Sequence, residues 1–249
     1  MSTFRADLKV VVADKDMQAT FAGLLTRHQS LGIRPLLLDP QSPLVHSGHD
    51  PGCWKGGPEL LAIEHQHYRH GLLALDWEGC NSKRPAEDTR QDLQERLDRL
   101  TSPGWGSVVV LQPELEIWVF SDSPEVDRAL GWEPETLTPW LVQQGHLLPG
   151  QAKPARPKEA VEHAMKQKRQ PRSSSVYRQL SKAVGFNRCV DPAFTELKKT
   201  LQQWFQWRLR HDHRQSWAES PAPGSRGARR RSMGAKARSR GAGAGSRGA

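Results

Sequence analysis

Apolar residues in the first half of the chain come in short unbroken runs rather than in alternation. Leu8–Val12, Ile33–Leu38, Leu72–Leu75 and Val108–Leu111 read as strands apolar on both faces, the pattern of a parallel sheet covered by helices on both sides. Helical spacing lies between them. Met17, Phe21, Leu24, Leu25 and His28 predict a helix from Asp16 to about Gln29, with Asp14 and Asp16 as candidate N-caps and Leu31-Gly32 as its end. Leu60, Leu61 and Ile63 mark a helix from Glu59 to about Tyr68, and Leu93, Leu97 and Leu100 mark one from Thr89 to Leu100. Strand and helix alternating in this way predict a three-layer parallel α/β domain with right-handed crossovers.

From Pro124 onward the pattern is helical. Pro124–Leu130 stops at Gly131-Trp132, Pro134–Gln144 stops at Gly145, and further helices start within Lys153–Ala160 and near Ser173-Ser174-Ser175. The last runs from Pro192 to about Arg208, with Phe194, Leu197, Leu201, Trp204 and Phe205 as its buried stripe. The expected organisation is an α/β domain over residues 1–122, a helical region over 123–210 packed on it, and a tail over 211–249. The fold class is thus α/β: a parallel sheet with helices on both faces, followed by an α-helical C-terminal region.

Charge belongs mostly to the tail. Pro221–Ala249 holds eight basic residues and no acidic ones; without those eight, the chain's 36 basic residues fall to 28 against 27 acidic, about +1 of the net +9. GSRGA occurs at 224–228 and again at 245–249, and the tail lacks core formers, which predicts disorder. Such an Arg-Gly segment either holds nucleic acid by counterion release or is a dispensable extension. No apolar run approaches the roughly 20 residues of a membrane span. Cys53, Cys80 and Cys189 are too scattered for a disulfide framework, and MSTFRADLKVVVAD lacks the apolar region of a signal peptide. The expectation is a cytoplasmic protein with free thiols.

Candidate chemistry sits at the ends of the strands. Leu72–Leu75 runs into Asp76-Trp77-Glu78-Gly79, and an Asp-x-Glu pair in extended backbone turns both carboxylates to one side. Asp14, Asp39 and the pair Glu114/Glu116 follow other apolar runs. The carboxyl ends of parallel strands open into the ligand crevice, and carboxylates converging there repel unless a cation neutralises them. Oxygen donors alone favour Mg²⁺ or Mn²⁺. The alternative is that Asp76 caps its loop and Glu78 is solvated. Residues 40–58 read as a Pro/Gly-rich loop whose His46, His49, Asp50 and Cys53 are zinc-type donors without a standard zinc pattern. His65, His67 and His70 read as solvated. Lys153, Arg156 and Lys158, with Arg172 before the serine cap, are candidate phosphate contacts at helix N-termini; a plain cap with a solvated arginine is the alternative.

Taken in order, Asp76-x-Glu78-Gly79, Pro113-Glu114-Leu115-Glu116-x-Trp118, Lys-Pro-x-x-Pro-Lys-Glu-Ala at 153–160 and Asp191-Pro192-Ala193-Phe194 resemble a group of bacterial Toprim-like proteins of methylation-associated anti-phage defence loci. The resemblance covers about residues 7 to 205. It implies a Toprim-type fold and Mg²⁺- or Mn²⁺-dependent phosphodiester cleavage of nucleic acid, with Asp14, Asp76 and Glu78 catalytic and Asp76, Glu78, Glu114 and Glu116 holding the metal. It implies nucleic acid and other defence proteins as partners. The general Toprim pattern has Glu-Gly after the first strand; Ala13-Asp14-Lys15 stands there, and a non-catalytic, nucleic-acid- or partner-binding component of a defence complex is the alternative.

Overall fold

The computed structural model describes residues 4–121, 123–185 and 189–207; the basic tail read as disordered lies outside them. The described residues form one compact unit. The elements are β1 (Ala6–Val12), α1 (Lys15–Leu24), α2 (His28–Leu31), β2 (Leu44–Val45), α3 (His49–Ala62), β3 (Tyr68–Asp76), α4 (Ala86–Leu100) and β4 (Gly106–Leu111). A 3₁₀ turn (Leu115–Trp118) leads to α5 (Pro124–Ala129), α6 (Leu137–Gln143), α7 (Pro157–Gln167), α8 (Ser174–Ala183) and α9 (Pro192–Trp204).

The four strands form one parallel sheet in the order β2-β1-β3-β4. Every residue of β1 is buried, as are Gly71–Asp76 of β3, which explains the unbroken apolar runs. The direction of travel reverses after β2. Right-handed crossovers therefore put α1 on one face and α3 and α4, which pack on each other, on the opposite face. α1 is covered in turn by α8. That contact is close: a Cβ on Gly23 would stand 1.9 Å from Ser181 Oγ and 3.0 Å from the carbonyl of Arg178. β4 is an edge strand, and Gln94 of α4 covers part of it. Its amide donates to Gly106 O and accepts from Val108 N, each at 3.0 Å, as a neighbouring strand would.

Two expected elements differ. Ile33–Leu38 is not a strand; it meets β1 through a single bridge, Leu8 to Leu38. Pro35 lacks an N–H, and the Leu37 N–H goes to the Asp7 carboxylate instead of a strand partner. The strand beside the end of β1 is Leu44–Val45, inside the expected loop. Asp39 accordingly stands far down the sheet, bonded to the Tyr68 hydroxyl and to Arg5, and is not part of an acidic crevice. The next helix begins at His49, ten residues before the expected Glu59, and ends at Ala62. Its glycines weaken helix propensity, yet its buried face of Cys53, Gly57, Pro58 and Leu61 fits close to the sheet: a Cβ on Gly57 would meet Leu73 at 2.8 Å. Tertiary packing outweighs local preference here.

Candidate acidic site at the strand ends

The strand order places a topological switch point between β1 and β3, the position where open α/β sheets bind ligands outside their carboxyl ends. Asp14 follows β1 and Asp76 closes β3. Asp14 is the N-cap of α1, its Oδ1 accepting the Met17 N–H at 2.8 Å. Asp76 is 6 % exposed, and its Oδ1 is buried with no hydrogen-bond partner. Burial pushes its carboxyl well above the usual carboxylate range, and the nearby charges of Asp50, Glu116, Asp14 and Glu114 push it further. Five carboxylates thus act on one another here, and the central one has an oxygen that nothing satisfies.

Asp50 is not the loop-borne zinc-type donor that the spacing suggests. It lies instead in the first turn of α3, and its Oδ1 accepts the backbone N–H of Asp76 at 2.7 Å. Burial and the charge of Asp14 among other causes raise its pKa, the first outweighing the hydrogen bond from Asp76. Its former zinc companions turn to separate partners. His46 Nδ1 accepts the Gly48 N–H at 3.0 Å, His49 Nδ1 lies 3.2 Å from Ala13 O, and the Cys53 thiol is pushed up to about 12 by burial and the neighbouring carboxylates.

Glu78 is exposed in the turn after β3 rather than alongside Asp76 in extended backbone; its N–H donates to Pro113 O at 2.9 Å. Glu114 and Glu116 flank the start of the 3₁₀ turn, and both are buried. Glu114 Oε1 accepts the Lys158 N–H at 3.0 Å in the first turn of α7, and Lys158 Nζ stands 3.8 Å from Oε2. Burial and the charge of Glu116 raise its pKa against the pull of Lys158. Glu116 Oε1 accepts the Tyr177 hydroxyl at 2.6 Å and lies 3.5 Å from Arg172. Arg172 also pairs with Asp16 at 3.2 Å and with Glu162. Ser174 Oγ donates to Asp16 Oδ1 at 2.6 Å, so the serine-capped helix start faces an acid.

The candidate phosphate contacts are thus divided. Lys158 and Arg172 border the acidic cluster. Lys153 pairs with Asp191 at 3.7 Å and Arg156 with Glu159 at 3.0 Å, outside it. Sequence reasoning missed Asp16 and Tyr177 as neighbours of these acids. Tyr177 lies 61 residues from Glu116, and no spacing rule links them.

In chemistry the donor set fits a hard divalent cation: all oxygen, several carboxylates, and a buried oxygen of Asp76 without a partner. In disposition, Glu114 and Glu116 are turned toward Lys158, Tyr177 and Arg172. Among the described residues no group of three His, Cys, Asp or Glu side chains is arranged to hold a metal ion as they stand.

The fold and site define an α/β protein with a cluster of acidic side chains at its switch point. Searches against family models, curated proteins and solved structures find no match to this chain.

Proposed function

We propose that the chain is a Toprim-like, Mg²⁺- or Mn²⁺-dependent enzyme that cleaves phosphodiester bonds of nucleic acid in anti-phage defence. The observation that carries this reading is the unpartnered, buried Oδ1 of Asp76 at the end of the central strand, surrounded by the charges of Asp14, Asp50, Glu114 and Glu116. A buried carboxylate oxygen left unsatisfied is unfavourable, and a proton or a cation relieves it.

Asp76, Glu114 and Glu116 would hold the ion, with Glu78 at the rim. A divalent cation there supplies charge neutralisation for the attacking and leaving oxygens of a phosphoryl group. Asp14, directly above β1, orients water. Lys158 and Arg172, which now neutralise Glu114 and Glu116, turn their charge to the phosphates of the substrate. Among the described residues no helix is long and apolar enough to cross a membrane.

The test is incubation of the purified chain with Mg²⁺ or Mn²⁺ and labelled single- and double-stranded DNA and RNA. The expected result is metal-dependent cleavage, lowered at least about 100-fold in Asp76→Asn. Absence of cleavage by the unmodified chain, or equal cleavage by Asp76→Asn, sinks the proposal.

A second reading rests on Arg172. Its pairing with Asp16, Glu116 and Glu162 already neutralises part of the cluster without a metal. In that reading the chain is a non-catalytic component that binds nucleic acid or a defence protein. Capture of a partner by both the unmodified chain and Asp76→Asn, with no metal-dependent turnover, favours it.

A further inference from the structure

The opposite end of β3 carries a second surface. Arg69 and His70 stand at the start of the strand, and Asp76 closes it, about 23 Å away at ~3.3 Å per residue. Phe4, Arg34, Arg69, His70, Trp204 and Trp207 line one open groove there. Aromatic rings and guanidinium groups line it together. The His70 ring stacks on Trp204 with centroids 4.4 Å apart and planes 11° from parallel. Trp204 is fixed further by its indole N–H, which donates to Gly104 O at 3.2 Å. Arg69 lies over the Phe4 ring at 5.4 Å. Trp207 is 56 % exposed and Phe4 40 %, large apolar rings that the described residues leave open to solvent.

Charge in the groove is unbalanced. The Asp7 carboxylate holds two arginines, Arg34 in a bidentate pair at 2.7 and 2.8 Å and Arg69 through Nε at 3.2 Å. Two positive charges against one negative leave a surplus, and the shared carboxylate fixes the position of both guanidinium groups. Asp7 itself is held below the usual carboxylate range: burial raises its pKa, and the Arg34 and Leu37 hydrogen bonds more than offset that. Burial lowers the pKa of His70 from the usual imidazole value, and its ring lies between Trp204, stacked at 4.4 Å, and Phe205, edge-on at 5.3 Å. Beyond Trp207, residues 208–220 hold Arg208, Arg210 and Arg214 against Asp212 and Glu219, and the last segment adds eight basic residues and no acidic ones.

We infer that this groove binds single-stranded nucleic acid, with bases stacked on Trp207 and the Trp204–His70 platform and phosphates on Arg34 and Arg69. Exposed rings serve unpaired bases, whose faces are open, and not a duplex, whose faces are stacked. An acidic protein segment would match the arginines but would leave the aromatic platform without a role. The inference shares a ligand class with the proposed function and does not rest on its chemistry, because the groove and the acidic crevice lie at opposite ends of the sheet.

The test is fluorescence anisotropy of a labelled oligothymidylate with the full chain in EDTA. Trp207→Ala is expected to weaken binding about ten-fold, as loss of one base–aromatic stack does, and Trp207→Phe to restore most of it. Arg69→Gln is expected to flatten the slope of log affinity against log salt by about 0.7. Binding is read in EDTA, without the metal that cleavage needs, so failure of cleavage leaves this inference standing. Unchanged affinity in Trp207→Ala, tighter binding of a duplex of equal length, or equal competition by polyglutamate overturns it.

Discussion

Asp50, in the first turn of α3, accepts the backbone N–H of Asp76 through Oδ1 at 2.7 Å. One carboxylate thereby fixes the backbone from which another projects, and the two repel. The hydrogen bond needs an acceptor oxygen and not a charge. Asp50→Asn is therefore expected to keep the thermal midpoint of the metal-free chain or raise it. Asp50→Ala, which leaves the Asp76 N–H unpaired, is expected to lower stability by about 1–2 kcal/mol. Thermal denaturation of the two variants side by side checks this.

Asp76 has a pKa raised in the folded state, first by burial and then by its acidic neighbours. A carboxyl whose folded pKa lies above its unfolded one binds its proton more tightly when folded. Its contribution therefore turns unfavourable as pH rises from the unfolded carboxylate value near ~4 toward neutrality. Asp76→Asn removes this term. The metal-free variant is expected to melt higher than the unmodified chain at neutral pH, with the difference shrinking toward pH ~4. A variant that melts lower across the whole range counts against the geometry of the crevice.

Asp39 shows the opposite sign. The Tyr68 hydroxyl, the Gln41 N–H and the charge of Arg5 hold it below the usual carboxylate range against the effect of burial. Its stabilisation is present above the unfolded value near ~4 and is lost as pH falls through the folded pKa. Tyr68→Phe is expected to cost about 1–3 kcal/mol at pH ~7 and to make stability less dependent on acid. Urea denaturation at neutral and acid pH measures both effects.

Gly23 is where α1 lets α8 approach. A valine there drives its side chain into Ser181 and the Arg178 carbonyl. Because α8 carries Tyr177 and follows Arg172, forcing it away also separates both from Glu116. Gly23→Val is expected to destabilise the fold by about 1–3 kcal/mol. Ser181→Ala removes the nearest atom and is expected to recover part of that loss in the double variant, as a denaturant titration reads it.

The layer pattern was legible from the chain because burial on both faces demands apolar residues without interruption. β1, β3 and β4, the charged α4, and the Phe194–Leu197–Leu201 stripe of α9 are local consequences of that demand, and so is the place of Asp76 at a strand end. β2 and the start of α3 were not legible: a two-residue strand has no periodicity, and α3 is a helix because its glycine-lined face fits against Leu73. The sequence alone determined a parallel α/β protein with acids at its strand ends. Only the tertiary structure decided which acids share the crevice, bringing in Asp50, leaving Asp39 at the far end with Tyr68, and setting Arg172 and Tyr177 on Glu116. Those pairings join residues 26 to 61 positions apart, where the energy of contact depends on how helices pack and not on any spacing along the chain.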